Sequence, residues 1–174
     1  MKRALHVGCG MRPSALPAFL AGYAETRLDI DPVCRPDIVA DVRDLPLADA
    51  SYDAVWSSHN LEHLHPADAH RALREFRRVV RPGGCVALTL PDLQVAAERI
   101  AAGRGGDAVY SSPAGPISAL DMVFGFSGFT EHNPDMVHRW GWTADTLADA
   151  LRAAGFGMVD VQRGDDCALW ALAV

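Results

Sequence analysis

The chain has no C-x-x-C cysteine pair, no apolar run of bilayer length and no block of basic charge. Each absence removes a class of function. Cys9, Cys34, Cys85 and Cys167 are its only cysteines. Scattered this widely they outline no disulfide framework and read as reduced thiols. Nothing approaches the roughly 18 consecutive apolar residues of a membrane span, so no membrane partner is expected. The basic start Lys2-Arg3 has the look of a signal peptide, but Gly8 ends the apolar stretch too early. Sixteen Lys and Arg against 22 Asp and Glu leave a formal charge of −6, which disfavours nucleic acid as a partner. Internal repeats and low-complexity tracts are also lacking. What remains is an ordinary composition over 174 residues, 49% hydrophobic and 22% charged. It fits one domain with a substantial core, and a cytoplasmic location is expected.

Strand-like and helix-like segments alternate along that length. Ala4–Val7, Thr26–Ile30, Asp37–Ala40, Tyr52–Trp56 and Cys85–Leu90 are short and β-compatible. Ser14–Tyr23 reads as a helix with Pro17 in its first turn and Gly22 near its end. Pro66–Val80 is a stronger helix, with Ala69, Leu73, Phe76 and Val80 on one face and its arginines on a solvated one. Asp92–Ala102 and a helix capped by Thr143 follow, the latter closed by Gly155. Phe156–Gln162 and Cys167–Ala173, joined by Arg163-Gly164-Asp165-Asp166, suit an antiparallel hairpin. The expected fold is therefore α/β, a Rossmann-like doubly wound sheet of seven mostly parallel strands ending in an antiparallel hairpin. Ligands of such sheets bind beyond the strand C-termini. Residues 103 to 142, rich in Gly, Pro, Ser and aromatics, form an irregular stretch too long for an ordinary connection. It is expected to be a lid-like insertion in a single domain spanning 1–174.

The first strand runs into Val7-Gly8-Cys9-Gly10, where glycine lets a ligand approach the backbone. A dinucleotide fingerprint G-x-G-x-x-G fails here, because Pro13 stands in the third glycine's place. That weakens a nicotinamide-dependent oxidoreductase. Asp29, about twenty residues on at the end of the second strand, is suited to accept hydrogen bonds from ribose hydroxyls. Further along come Asp41-Val42-Arg43-Asp44-Leu45-Pro46, Leu61-Glu62-His63-Leu64 and Arg81-Pro82-Gly83-Gly84.

Taken in order, these five pieces resemble the class I methyltransferases dependent on S-adenosylmethionine (SAM), of the "type 11" kind, over Leu5 to Asp92. The later stretches Pro113-Ala114-Gly115-Pro116-Ile117 and Leu120-Asp121-Met122, with the histidine beyond them, resemble a compact bacterial branch of that family. The resemblance implies SAM as cofactor and S-adenosylhomocysteine as product. It implies that Gly8, Cys9 and Gly10 pass along the methionine part, that Asp29 holds the ribose, and that Ile30 packs on adenine. It further implies that Asp41 accepts from the adenine amino group while the Val42 amide addresses a ring nitrogen, with Ser57 and Ser58 near the methionine amino acid moiety. Two positions depart from the family pattern. His6 replaces an acidic residue, and Arg12 replaces a third glycine, where it either pairs with the SAM carboxylate or sits in solvent.

On the same resemblance His59 lies near the transferred methyl, where it is a general base or merely caps the next loop. His138, inside the lid-like segment, is the other candidate base. Phe124, Phe126 and Phe129 read as satellite core. His59-Asn60-Leu61-Glu62-His63 also matches the H-x-x-E-H pattern of a zinc protease. Pro66 leaves little room for the helix that pattern needs, and no third ligand helix is evident. No resident metal is therefore assigned, and the histidines are left to adventitious ions. The expected function is methyl transfer to O, N or C of a small-molecule acceptor. A SAM-binding regulatory or scaffold protein without turnover is the alternative. With no helices before the first strand, the pocket is expected to be open or completed by a second copy in a homodimer.

Overall fold

The computed structural model describes all of residues 1–174. Its main sheet has seven strands: β1 (Arg3–Val7), β2 (Ala24–Asp29), β3 (Ile38–Val39), β4 (Tyr52–Ser58), β5 (Val80–Pro91), β8 (Val159–Arg163) and β9 (Ala168–Ala173). They lie side by side as β3-β2-β1-β4-β5-β9-β8. The first five pair in parallel, while β9 runs antiparallel to both β5 and β8. Order reverses between β1 and β4, and at such a switch point a cleft opens beyond the strand ends. This is the fold expected from the alternation of segments.

Apolar alternation explains how the sheet is covered. Leu5, Val7, Leu28, Val55, Val86 and Leu88 point to one face and join a cluster of 25 buried residues. There they meet Leu73 and Phe76 of α1 (Pro66–Val79) and Leu147 and Leu151 of α5 (Ala144–Ala153). Thr143 caps α5, its hydroxyl accepting from the Thr146 amide, which anchors the helix where the sequence places it. On α1, Arg78 is not simply solvated: it pairs with Glu75 and Asp49 and donates to the Leu45 and Leu47 carbonyls.

Since strand side chains alternate, Ala4, Ala54, Trp56 and Ala87 face the other way. Only five buried residues form the cluster on that side. The expected helix over Ser14–Tyr23 is not there. Residues 8–23 contain a single 3-10 turn, Ala18–Leu20, entered through extended Pro17. Pro17 disfavours the helical region for Leu16 before it, so any helix is confined to the few residues between Pro17 and Gly22, too short to repay its nucleation.

A buried arginine holds this face instead. Arg27, 1% exposed on β2, donates from Nη1 to the Ser14 carbonyl at 2.7 Å. Its Nη2 donates to the Cys9 and Gly10 carbonyls at 3.0 and 2.9 Å. Glu25 balances the charge from 3.4 Å and also lies 2.7 Å from Nδ1 of the fully buried His6. Burial lowers the His6 pKa, and the Glu25 hydrogen bond and charge only partly offset that.

The segment read as irregular is more ordered than expected. Beyond α2 (Leu93–Ala101), the helix expected over Asp92–Ala102, it forms a separate hairpin of β6 (Ala108–Ser112) and β7 (Gly115–Ser118) and the short helices α3 (Ala119–Phe124) and α4 (Ser127–Thr130). Ala96, Ile117, Ala119 and Met122 give it a small core of its own. Of the three phenylalanines only Phe126 packs there; Phe124 and Phe129 are 63% and 46% exposed. No helix is long and apolar enough to cross a membrane.

Two outcomes follow. Arg27→Met strands three carbonyls around a buried site, and denaturant unfolding should show a loss of about 3 kcal/mol. Arg27→Lys, with no fork to span them, should lose nearly as much. For His6, the folded pKa lies below the unfolded one, so the unfolded chain takes up the proton first. Stability should therefore fall as pH drops below about 6.5. Unfolding of His6→Gln at pH 7.5 and 5.5 should show a smaller acid loss than the parent.

Candidate active site

The chain leaves β1 at Val7 and turns at once through Gly8 and Gly10, with φ of 59° and 57°. A Cβ on Gly8 would come within 2.7 Å of the Asn60 side chain, whereas one on Gly10 would meet nothing within 4 Å. The loop thus has one packed side and one open side. Cys9, between them, is buried, and desolvation pushes its thiol up to about 11. It is therefore protonated and no nucleophile near neutral pH.

Asp29 closes the loop from β2. Its Oδ2 accepts from the Gly10 amide at 2.8 Å and its Oδ1 from the Asp31 amide at 3.0 Å. Ile30 follows with 60% of its surface exposed, an apolar platform at the rim. Asp41 is already engaged by a neighbour. Arg43 Nε reaches both carboxylate oxygens at 2.9 Å, and this pairing holds the Asp41 pKa below the usual carboxylate range. An adenine amino group would have to share those oxygens with a guanidinium. Val42 puts its side chain into the core. Ser57, buried, pairs with Val7 and Leu88, and half-buried Ser58 pairs with Thr89. Arg12 is exposed.

One polar group was missed from the sequence. Asn60 Nδ2 is buried beside Gly8 and has no hydrogen-bond partner. A buried amide without a partner is costly, so it points to a group supplied from outside. Asn60 stands at an unspecified position of the H-x-x-E-H pattern, and only the fold carries it to the glycine loop. The open side of Gly10, the Asp29 carboxylate, exposed Ile30 and unpaired Asn60 together suit a ligand with a polar tail, a ribose and an apolar ring.

Just past β4 the backbone of His59 takes a left-handed conformation, φ 48°, fixed by its amide donating to the Thr89 carbonyl at 2.8 Å. The side chain is about half exposed, and Nδ1 lies 3.3 Å from Glu62 Oε1. Burial disfavours the charged imidazole, but contact with Glu62 and its negative charge outweigh this and raise the His59 pKa. Glu62 is 2% exposed. Burial pushes its pKa up, and His59, then His63 and His138, bring it below the ordinary value. His63 and His138 stack edge to face with ring centres 5.0 Å apart. The two histidines singled out as candidate bases, His59 and His138, thus stand around one buried carboxylate. A pocket of about 210 Å³ adjoins His59, lined also by Pro91, Tyr110, Ser111, Asp166, Cys167 and Ala168. Pro91 ends β5 and Ala168 begins the antiparallel β9, so the pocket opens at the C-terminal edge of the sheet.

The family profile described as "Methyltransferase domain" matches residues 5–88, the stretch that carries the glycine loop, Asp29, Asp41 and the segments around β4 and β5. Over that stretch, just under half of its length, the chain is similar to class I SAM-dependent methyltransferases. The chain is 38% identical to a malonyl-[acyl-carrier protein] O-methyltransferase of Pseudescherichia vulneris, over 53% of this chain and 42% of that protein. It is 30% identical to a demethylmenaquinone methyltransferase of Clavibacter sepedonicus, over 70% of this chain and 46% of that one. It thus spans under half the length of these relatives. Among solved structures it is similar in fold to the Burkholderia thailandensis 1,6-didemethyltoxoflavin-N1-methyltransferase with bound S-adenosylhomocysteine. The TM-score is 0.60 at 19% identity, covering 99% of this chain and 71% of that one.

Calorimetry with S-adenosylhomocysteine tests the Asp29 assignment. Asp29→Ala removes a charged acceptor and frees the glycine loop, so affinity should fall by about 10- to 100-fold.

Proposed function

We propose that this chain is an active methyltransferase that transfers the SAM methyl group to O, N or C of a small acceptor. The observation that carries this reading is the pocket beside His59. It opens at the same edge of the sheet as the glycine loop and Asp29, and its volume suits a small molecule.

In this reading Asp29 holds the ribose hydroxyls, Ile30 supports the adenine, and Gly8, Cys9, Gly10 and Asn60, with Ser57 and Ser58 nearby, receive the amino acid tail. The Val42 amide and an Asp41 shared with Arg43 address the adenine edge. When bound, SAM supplies a methyl group already activated on a sulfonium. The protein's task is therefore chiefly positioning of the acceptor, with a base where the acceptor must lose a proton. His59, exposed to the pocket and backed by the Glu62 carboxylate, is that base. Tyr110 and Ser111 bring the segment 103–142 to the pocket wall, which supports its role as a lid over the acceptor. His138 lies on the far side of Glu62 and acts through that carboxylate.

The chelation of Asp41 by Arg43 favours a second reading, a SAM-binding regulatory protein without turnover. Incubation with methyl-labelled SAM and small-molecule extracts separates the two. Activity predicts label in an extracted product, with His59→Ala lowering kcat by about 100-fold or more and leaving S-adenosylhomocysteine affinity unchanged. Binding of the cofactor with no label released from it would establish the regulatory reading.

A further inference from the structure

Glu62 poses a problem that the cofactor site does not solve. Both of its carboxylate oxygens are buried and neither accepts a hydrogen bond. His59 comes within ion-pair range of one of them but off the hydrogen-bonding direction. A buried carboxylate in that state is destabilising unless a cation or donor meets it. A carboxylate oxygen of Glu62 and one ring nitrogen each from His63 and His138 lie within 4.8 Å of one another.

The histidines are set in the way that ligands are. His63 Nδ1 faces the Val137 carbonyl at 3.3 Å and His138 Nδ1 faces the Met122 carbonyl at 2.9 Å. A carbonyl only accepts, so each Nδ1 carries the proton and each Nε2 keeps its lone pair. A backbone carbonyl on the second nitrogen is the usual support of a metal-bound imidazole. The frame around them is also built. The Arg139 and Trp140 amides donate to the Glu62 carbonyl at 2.7 and 3.2 Å, and Arg139 Nη1 donates to the His63 carbonyl at 2.6 Å. Residue 138 is thereby held against the turn Leu61–His63 by contacts that need no ion.

We propose that Glu62, His63 and His138 form a binding site for one divalent transition metal ion of the zinc class. Two neutral imidazoles and a carboxylate are a common donor set for such ions. Donors of a tetrahedral ion lie roughly 3.4 Å apart, so the site closes by about an ångström on loading. This is not a zinc-protease helix, because Leu61–His63 is one 3-10 turn and the third ligand comes from 75 residues away. Three protein ligands leave a coordination position open. His59, which touches Glu62, lines the pocket next door. The ion pins the 119–139 segment to the end of β4 and stands beside the acceptor pocket. The site is independent of the methyl-transfer reading, since it is defined by the metal alone.

Metal-stripped protein should be titrated with Zn²⁺ by calorimetry and with Co²⁺ by visible absorption. The expected result is one ion per chain, with the intense d–d bands of a four- or five-coordinate Co²⁺. Glu62→Gln and His138→Asn should each weaken binding by about tenfold or more, and exposed His132→Asn should change nothing. S-adenosylhomocysteine affinity, measured on every variant, reports whether the fold survives. If Glu62→Gln fails to fold, the half-buried His138→Asn decides. No saturable binding by the parent would overturn the proposal. So would binding unaffected by His138→Asn but lost on changing exposed His65 or half-buried His70, the mark of an adventitious ion only.

Discussion

Everything at the cofactor end of the sheet depends on the guanidinium of Arg27. In a doubly wound sheet the glycine loop is ordinarily held from behind by the helix that follows it, through backbone hydrogen bonds and apolar packing. Here that stretch makes only one 3-10 turn, and three carbonyls of the loop and its sequel are gathered by one side chain. The exchange is chemically specific. A planar fork spreads its donors over acceptors that a compact ammonium cannot span, and a charge so deeply buried needs a counter-ion, which Glu25 provides. His6 then completes the chain on its other side. The departure at His6 and the missing helix are therefore one feature, a polar strip replacing an apolar layer.

Much of the fold could be read from pattern alone. Short apolar strands, strong amphipathicity in Pro66–Val79 and the Thr143 cap are local signals, and local signals survive folding. The helix over 14–23 misled for a physical reason. Its apolar residues are compatible with a helical face, but Pro17 keeps Leu16 out of the helical region and Gly22 follows closely, so too few residues remain to nucleate a helix. Nothing in the sequence announced that Arg27 would supply the substitute, because an arginine at an inward strand position is ordinarily evidence against burial.

The site was legible to a different depth at each position. Gly8, Gly10 and Asp29 stand together because strand ends and loop lengths bring them there, and spacing encodes both. Asp41 had the right place in sequence, yet Arg43 two residues later occupies its oxygens. Asn60 and the meeting of Glu62 with His138 are tertiary facts, joining residues that no periodicity links. The H-x-x-E-H pattern was thus informative for a reason its usual helical interpretation hides: the turn after β4 offers donors to a loop that arrives much later.

The sheet's two margins bear on how this protein behaves at high concentration. At one margin β3 is only two residues long, with Pro36 just ahead of it, so a neighbouring chain finds almost no ladder to extend. At the other, β8 exposes Asp160 and Gln162 on one face, and desolvating those groups would oppose strand addition there. Both flanks are protected against edge-to-edge stacking into fibrils, even though the sheet between them leaves Trp170 and Leu172 partly bare.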